Sequence, residues 1–180
     1  MVASRTLAFY RRLWRSSFRE FTPPEVAPQP GVQPIAPVTE AERLSRFVLD
    51  RKHFDADRVK FRAFEPPPGE VTLSVSRTDG LTEPEVWRHG DKWVAEPNGR
   101  TIYARGDFNL KQVREVQQGG FGLSVAPDEE PERHANVVGW PTIEQKEVRR
   151  SLAQQLAAQA FCVPRPPVGP GRKAAMPVTP

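Results

Sequence analysis

Between residues 39 and 163 the apolar positions recur at two spacings, three-to-four and two, and the changes of period divide this stretch into elements. Three segments start alike. Thr39 with Glu42, Thr82 with Glu85 and Thr142 with Gln145 each fit the capping box, in which a hydroxyl accepts from the third amide while the third side chain reaches back. The pattern predicts a helix over residues 40–53 with Leu44, Phe47 and Val48 inward. It predicts a second over 83–89, with Leu81 and Val86 as a hydrophobic staple and Gly90 as its stop. A closing helix, 143 to about 162, carries Val148, Leu152, Leu156 and Ala160 at four-residue steps. "FNLKQVREV" adds a further helix, with Asp107 as its cap and Leu110, Val113 and Val116 on one side.

The two-residue period marks the strands. "RVKFRAF" (58–64) alternates Val59, Phe61 and Ala63 with Arg58, Lys60 and Arg62, and the prolines of "EPPPG" end it. "VTLSVSR" puts Val71, Leu73 and Val75 on one face and Thr72, Ser74 and Ser76 on the other. "RTIYARGD", "FGLSVAP" and "ANVVGW" follow as three more strands. The expected order is α-β-β-α-β-α-β-β-α. That is an α+β fold, one domain over residues 39–163, with a mixed or mainly antiparallel sheet packed by three to four helices.

Composition changes the picture at the ends. Of 20 prolines in 180 residues, six lie from Pro23 to Pro37 and six from Pro164 to Pro180. Residues 23–38 therefore read as an extended linker and 164–180 as a disordered basic tail. The formal net charge is +4, yet residues 1–22 alone carry +4 and the tail +3, which leaves about −3 for the middle. A globular nucleic-acid reader with a broad basic face is argued against. Residues 5–21 place Leu7, Tyr10, Trp14, Phe18 and Phe21 along one side of a helix, with arginines between. Tyr10, Arg11, Trp14, Arg15 and Phe18 are the expected partner-binding residues. A protein groove, an anionic membrane surface, a targeting presequence and a frayed extension compete as readings of this arm, and nucleic acid remains open as a partner of the basic ends. No apolar run approaches the ~20 residues that span a bilayer. The single cysteine, Cys162, and the lack of an export signal make a cytoplasmic setting the expectation.

Strong chemical signatures are missing. There is no phosphate loop, zinc helix, paired-cysteine motif or nucleophile elbow, and no metal or cofactor is expected. The densest stretch is "PDEEPERHANVVGWP" (127–141). His134 is the candidate acid or base, and Arg77, Tyr103, Arg105 and Arg133 are expected to join it at strand ends as a ligand-binding cluster for a phosphate or carboxylate. Against that, Arg77 continues the apolar side of its strand, where Asp79 or a nearby glutamate would neutralise it. Arg133 and His134 have Glu129, Glu130 and Glu132 beside them.

"LSVSRTDGLTEPEVW", "IYARGDF" and "RHANVVGWP" resemble segments of a group of uncharacterised small bacterial proteins. The resemblance spans about residues 71–141 and implies no activity and no catalytic residue. Two functions follow as expectations. One is a non-catalytic adaptor whose N-terminal arm engages a partner; the other is an enzyme or sensor for a phosphorylated or nucleotide-like small ligand.

Overall fold

The computed structural model describes residues 35–167, and at its centre lies a strand where the capping box at Thr39 predicts a helix. The arm at 1–22, the linker up to Pro34 and the tail from Val168 lie outside the described residues, and with them Tyr10, Arg11, Trp14, Arg15 and Phe18.

In chain order the elements are β1 (Arg43–Val48), β2 (Leu73–Arg77), α1 (Glu83–Gly90), β3 (Ala104–Asn109), α2 (Leu110–Glu115), β4 (Gln117–Gln118), β5 (Phe121–Gly122), β6 (Ser124–Pro127), β7 (His134–Val138), α3 (Lys146–Gln159) and β8 (Phe161–Pro164). Six strands form one sheet in the order β6-β7-β2-β1-β3-β8, and every pairing in it is antiparallel. β4 and β5 make a separate hairpin, turned by Gly119 and Gly120 at positive φ. The architecture is α+β, as expected, with three α-helices among the described residues.

β1 explains the main departure. Half of the capping box at its start forms: the Thr39 N–H donates to Glu42 Oε2 at 3.2 Å, but the Glu42 N–H goes to the Thr39 carbonyl at 3.1 Å and not to the hydroxyl. The chain then runs on as a strand, because Leu44 and Val48 are needed on one sheet face and Phe47 on the other. A central strand buried on both faces gains more from packing than a short helix gains from one cap. Pairing β1 with both β2 and β3 also fills the places beside it, so "RVKFRAF" finds no ladder. It makes one bridge, Phe54 to Val59, and a 3-10 turn at Phe61–Ala63 that drops Phe64 into the core.

Two cores flank the sheet. On one face Leu44, Leu73, Val75, Phe108 and Val137 pack against Leu110 and Val113 of α2 and Leu152 and Leu156 of α3. Phe64 meets Phe108 edge-on at 5.9 Å, over Gly106, where a Cβ would lie 2.7 Å from the Phe64 ring. On the other face a smaller core joins Phe47 to Val86, Trp87, Ala95 and Ile102. Each fully buried Leu or Val here contributes about 1.5–3 kcal/mol.

The strand expected over "FGLSVAP" is split between β5 and β6, which lie in different sheets, and three helix boundaries differ from expectation. Gly90 does not stop α1; its backbone stays helical and the winding continues to Asn98, ending at Gly99 with φ 57°. Asn109, not Asp107, caps α2, trading bonds with Gln112 at 2.9 and 3.0 Å. The closing helix is Lys146–Gln159, and the chain beyond it becomes edge strand β8, where Pro164 costs no ladder bond on its solvent side.

Candidate functional site

The side chains of the sheet's second face are polar over half its width, and there lies the candidate site. Strand alternation puts Ser45, Ser74, Ser76, Arg105, Asp107, His134 and Asn136 on the face that carries Phe47, opposite Leu44, Leu73, Val75 and Val137. Trp87 covers the β3 side. The β2 and β7 side is roofed by Pro131 and Glu132 and walled by His89, Trp93 and Val94. That leaves a cavity of about 220 Å³ lined by Ser45, Ser74, Ser76 and His134, and by Arg46, which has the parity of Leu44 on the opposite face and lines it where β1 and β2 part.

The ladder between β1 and β2 creates its opening. Leu44–Arg77 and Ser45–Ser76 pair and the Thr78 N–H still reaches the Arg43 carbonyl, but on the Arg46 side of Ser45–Ser76 the two strands part. The Arg46 guanidinium fills the gap, its Nε donating to the Ala63 carbonyl at 2.9 Å and its Nη1 to the Ser74 carbonyl at 2.8 Å. Among the described residues no carboxylate lies within 4 Å of it, and Nη2 has no hydrogen-bond partner. Burial pulls the Arg46 pKa down to about 10, so it remains a cation at neutral pH. Arg149 is also held by carbonyls, those of Glu70, Pro141 and Pro66, but it lines neither this cavity nor the next. That next cavity, about 170 Å³, lies beyond Arg46 and Val94 and is lined by His53, Arg62 and Arg100 with Asp50. Burial lowers the pKa of both His53 and His89, so both favour the neutral ring.

A hydrogen-bonded chain crosses the cavity's edge. The exposed Ser74 hydroxyl sits 2.5 Å from His134 Nε2, and His134 Nδ1 lies 3.2 Å from Asp128 Oδ2. The same carboxylate oxygen accepts from Asn136 Nδ2 at 2.9 Å. Burial would raise the Asp128 pKa, but its pairing with His134 and the hydrogen bonds from the Glu129 amide and Asn136 outweigh it and hold the carboxyl below its usual range. Ser45 by contrast is occupied, bonded to Thr78 at 2.8 Å and Asp107 at 2.6 Å. Ser76 is buried with no side-chain partner among the described residues.

The five residues expected to converge are dispersed. Arg77 projects from the opposite sheet face to His134, since Ser76 is the residue paired across from His134. Its guanidinium clasps Glu42 at 2.6 and 3.0 Å and bonds the carbonyls of Ala36 and Pro37. The neutralising acid is thus a glutamate, not Asp79. Arg105 is fully buried and bonds Asp107 at 2.9 and 3.0 Å and Glu83 at 2.8 Å, with its guanidinium 4.7 Å above the Trp87 ring. Those two acids outweigh its desolvation and raise its pKa. Tyr103 lies half-exposed just before β3. Arg133, at φ 62°, donates to the carbonyls of Arg77 and Asp79. Of the five, only His134 lines the cavity; it bonds Asp128 rather than Glu129, Glu130 or Glu132.

Reasoning from the sequence missed Arg46, Ser74, Ser76 and Asp128 as a group. The signal available was the polar parity of Ser74 and Ser76 on "VTLSVSR"; the register that brings His134 to Ser74 comes only from the folded sheet. Among the described residues no helix is long and apolar enough to cross a membrane, and no cluster of three His, Cys, Asp or Glu side chains could hold a metal ion. The chain matches no family model, no curated protein and no solved structure.

Proposed function

We propose that the domain binds a small anionic ligand, bearing a phosphate or carboxylate, in the cavity that Arg46 shares with Ser74, Ser76 and His134. The observation that carries this reading is Arg46 itself. A guanidinium partly withdrawn from water is costly unless its charge is matched, and half-buried Arg46 is attended by two carbonyls and, among the described residues, by no acid. An anion entering the cavity would supply the missing charge, and a bidentate bond from a planar guanidinium suits both ligand groups. Ser76 and the neutral His89 add a hydroxyl and a ring nitrogen to the wall, and Trp93 offers a flat apolar surface. The second cavity, with Arg62 and Arg100, gives a larger ligand such as a nucleotide room for a further charged group.

The test is thermal denaturation of the full chain against inorganic phosphate, nucleotides and small dicarboxylates. A ligand at 100 times its Kd adds about 2.7 kcal/mol of stability. The upward shift should appear with at least one of these compounds and vanish in a folded Arg46→Met protein. No shift with any compound, or an equal shift in Arg46→Met, refutes the reading.

The adaptor reading is kept as a second proposal because the charge distribution favours it. Residues 1–22 and the tail hold the whole positive excess, on either side of a middle that is mildly acidic. In it Tyr10, Arg11, Trp14, Arg15 and Phe18 engage a protein partner in the cytoplasm, while the folded domain holds the small ligand. Removing residues 1–34 should then leave the ligand-induced shift intact and abolish capture of the partner.

A further inference from the structure

We propose that Ser74, His134 and Asp128 form a nucleophilic relay, and that the site hydrolyses small esters or thioesters carrying a negative charge. The substrate's charge rests on the anion-binding reading of Arg46; the relay rests on separate geometry. Three features of that geometry matter. First, the order of contacts suits proton abstraction. Asp128 can accept only from the Nδ1–H, which fixes the tautomer and leaves the Nε2 lone pair facing the Ser74 hydroxyl. Second, the relay is held from several sides. Asn136 ties the acting oxygen of Asp128, and the Asp128 N–H donates to the His134 carbonyl at 3.1 Å, so the acid and the ring share one turn. Third, the nucleophile is reachable: Ser74 is exposed, and it lines the same cavity as Arg46.

The surroundings can also stabilise an oxyanion. The Thr78 N–H bonds Arg43 on β1, whereas the Arg77 N–H bonds Arg133 on the other side. Strand alternation therefore turns the backbone of Ser74, like that of Thr78, toward β1. The ladder has ended there, and Arg46 already takes the Ser74 carbonyl. The Ser74 N–H and the Arg46 guanidinium thus face one gap, a pair of donors for developing negative charge.

The chemistry balances with water as the only co-reactant. The Ser74 oxygen attacks the acyl carbon, forming a C–O bond, and its proton passes to His134 Nε2. The bond from the acyl carbon to the leaving oxygen or sulfur breaks, and that atom takes the proton from His134 to depart as an alcohol or thiol. Water then gives a proton to His134 and its oxygen to the acyl carbon. Ser74 is released and reprotonated, and a carboxylic acid leaves. Asp128 is a positioning residue and does not exchange the transferred proton.

The experiment treats the full chain with a fluorophosphonate, maps the adduct by mass spectrometry, and follows hydrolysis of neutral 4-nitrophenyl acetate and anionic 4-nitrophenyl succinate. One adduct on Ser74 is expected. Ser74→Ala and His134→Gln proteins with unchanged circular dichroism should hydrolyse the succinate ester at least about 100-fold more slowly. Asp128→Asn should alter the pH profile of the rate and not merely its height, a change that loss of a structural bond alone would not produce. Arg46→Met should reduce the preference for the anionic over the neutral ester by at least about tenfold. No adduct, an adduct elsewhere, or equal hydrolysis by Ser74→Ala overturns the relay and leaves the anion-induced stabilisation standing. An adduct on Ser74 with an unchanged ester preference in Arg46→Met overturns the substrate's charge and, with it, the role given to Arg46.

Discussion

Replacing Glu42 by Gln tests whether the Arg77 pair is a structural strut. Arg77 Nε and Nη2 reach the two Glu42 oxygens at 2.6 and 3.0 Å, with side chains only 16% and 10% exposed. A hydrogen bond to a charged group contributes about 1.5–3 kcal/mol. The amide keeps one acceptor and loses the other together with the charge. The cost stays below the about 3–5 kcal/mol of breaking a fully enclosed pair, because Arg77 retains the Ala36 and Pro37 carbonyls. We therefore expect a loss of about 1.5–3 kcal/mol in urea unfolding at neutral pH, followed by tryptophan fluorescence, or about 3–5 °C of Tm per kcal/mol for a domain of this size. The pH dependence has a definite sign. Burial would raise the Glu42 pKa, but the Arg77 bonds and the Thr39 N–H outweigh it and hold the folded value below the ordinary one. The carboxylate's contribution is thus complete above the unfolded-state pKa of about 4.3 and is lost as pH falls through the lowered folded value. The gap between the natural chain and Glu42→Gln should be constant near neutrality and close in acid. A double change with Arg77→Met should recover part of the loss, since it removes the stranded cation. A neutral-pH loss under about 0.5 kcal/mol, or a gap that persists unchanged in acid, refutes the strut.

Two further outcomes follow from packing. Gly90→Ala adds a Cβ 2.6 Å from the Phe47 ring and 2.8 Å from Ile102 Cδ1, so it should destabilise by about 1–3 kcal/mol although alanine favours helix; a neutral or stabilising result in thermal melts would contradict this. Cys162 is buried, and desolvation, aided by Asp57 and Asp107, raises its pKa, so a thiol reagent at neutral pH should label it slowly until urea opens the domain; rapid labelling of the native chain would show β8 detached from β3.

Local chemistry was legible where local contacts decide the structure. "VTLSVSR", "RTIYARGD" and "ANVVGW" became β2, β3 and β7, and the Thr82 box opens α1, with the Glu85 carboxylate taking the Thr82 N–H at 2.9 Å and its hydroxyl at 2.6 Å. The failures share one cause. Thr39 and Glu42 make half of a helix cap, yet the residues after them are recruited by two strands that lie about 30 and 60 positions further on. "FCVP" reads as the tail of an alanine-rich helix until β3 offers it an edge. Partners so distant in sequence leave no mark within a window of ten residues, and their packing outweighs propensities worth tenths of a kcal/mol.

The same reasoning explains why the site was half visible. Read as part of a helix over 40–53, Arg46 falls among the polar positions and looks solvated. Read as a strand, it shares parity with Leu44 and Val48, and a cation in that series demands explanation. Arg77 raised the same demand from within a correctly read strand, and its answer, Glu42, lies nearby in the fold. Arg46 has no such answer among the described residues. The two arginines thus pose one question of charge compensation, and the sheet resolves it differently: Arg77 sits where β1 and β2 are still paired and an acid can close over it, while Arg46 sits where they have parted and a cavity opens instead. The gap in the ladder leaves one cation without an anion and puts the Ser74 hydroxyl beside it within reach of His134. Binding and chemistry at this site therefore depend on the same parting of β1 from β2. Any change that extends the pairing past Ser45–Ser76 should close the cavity to both.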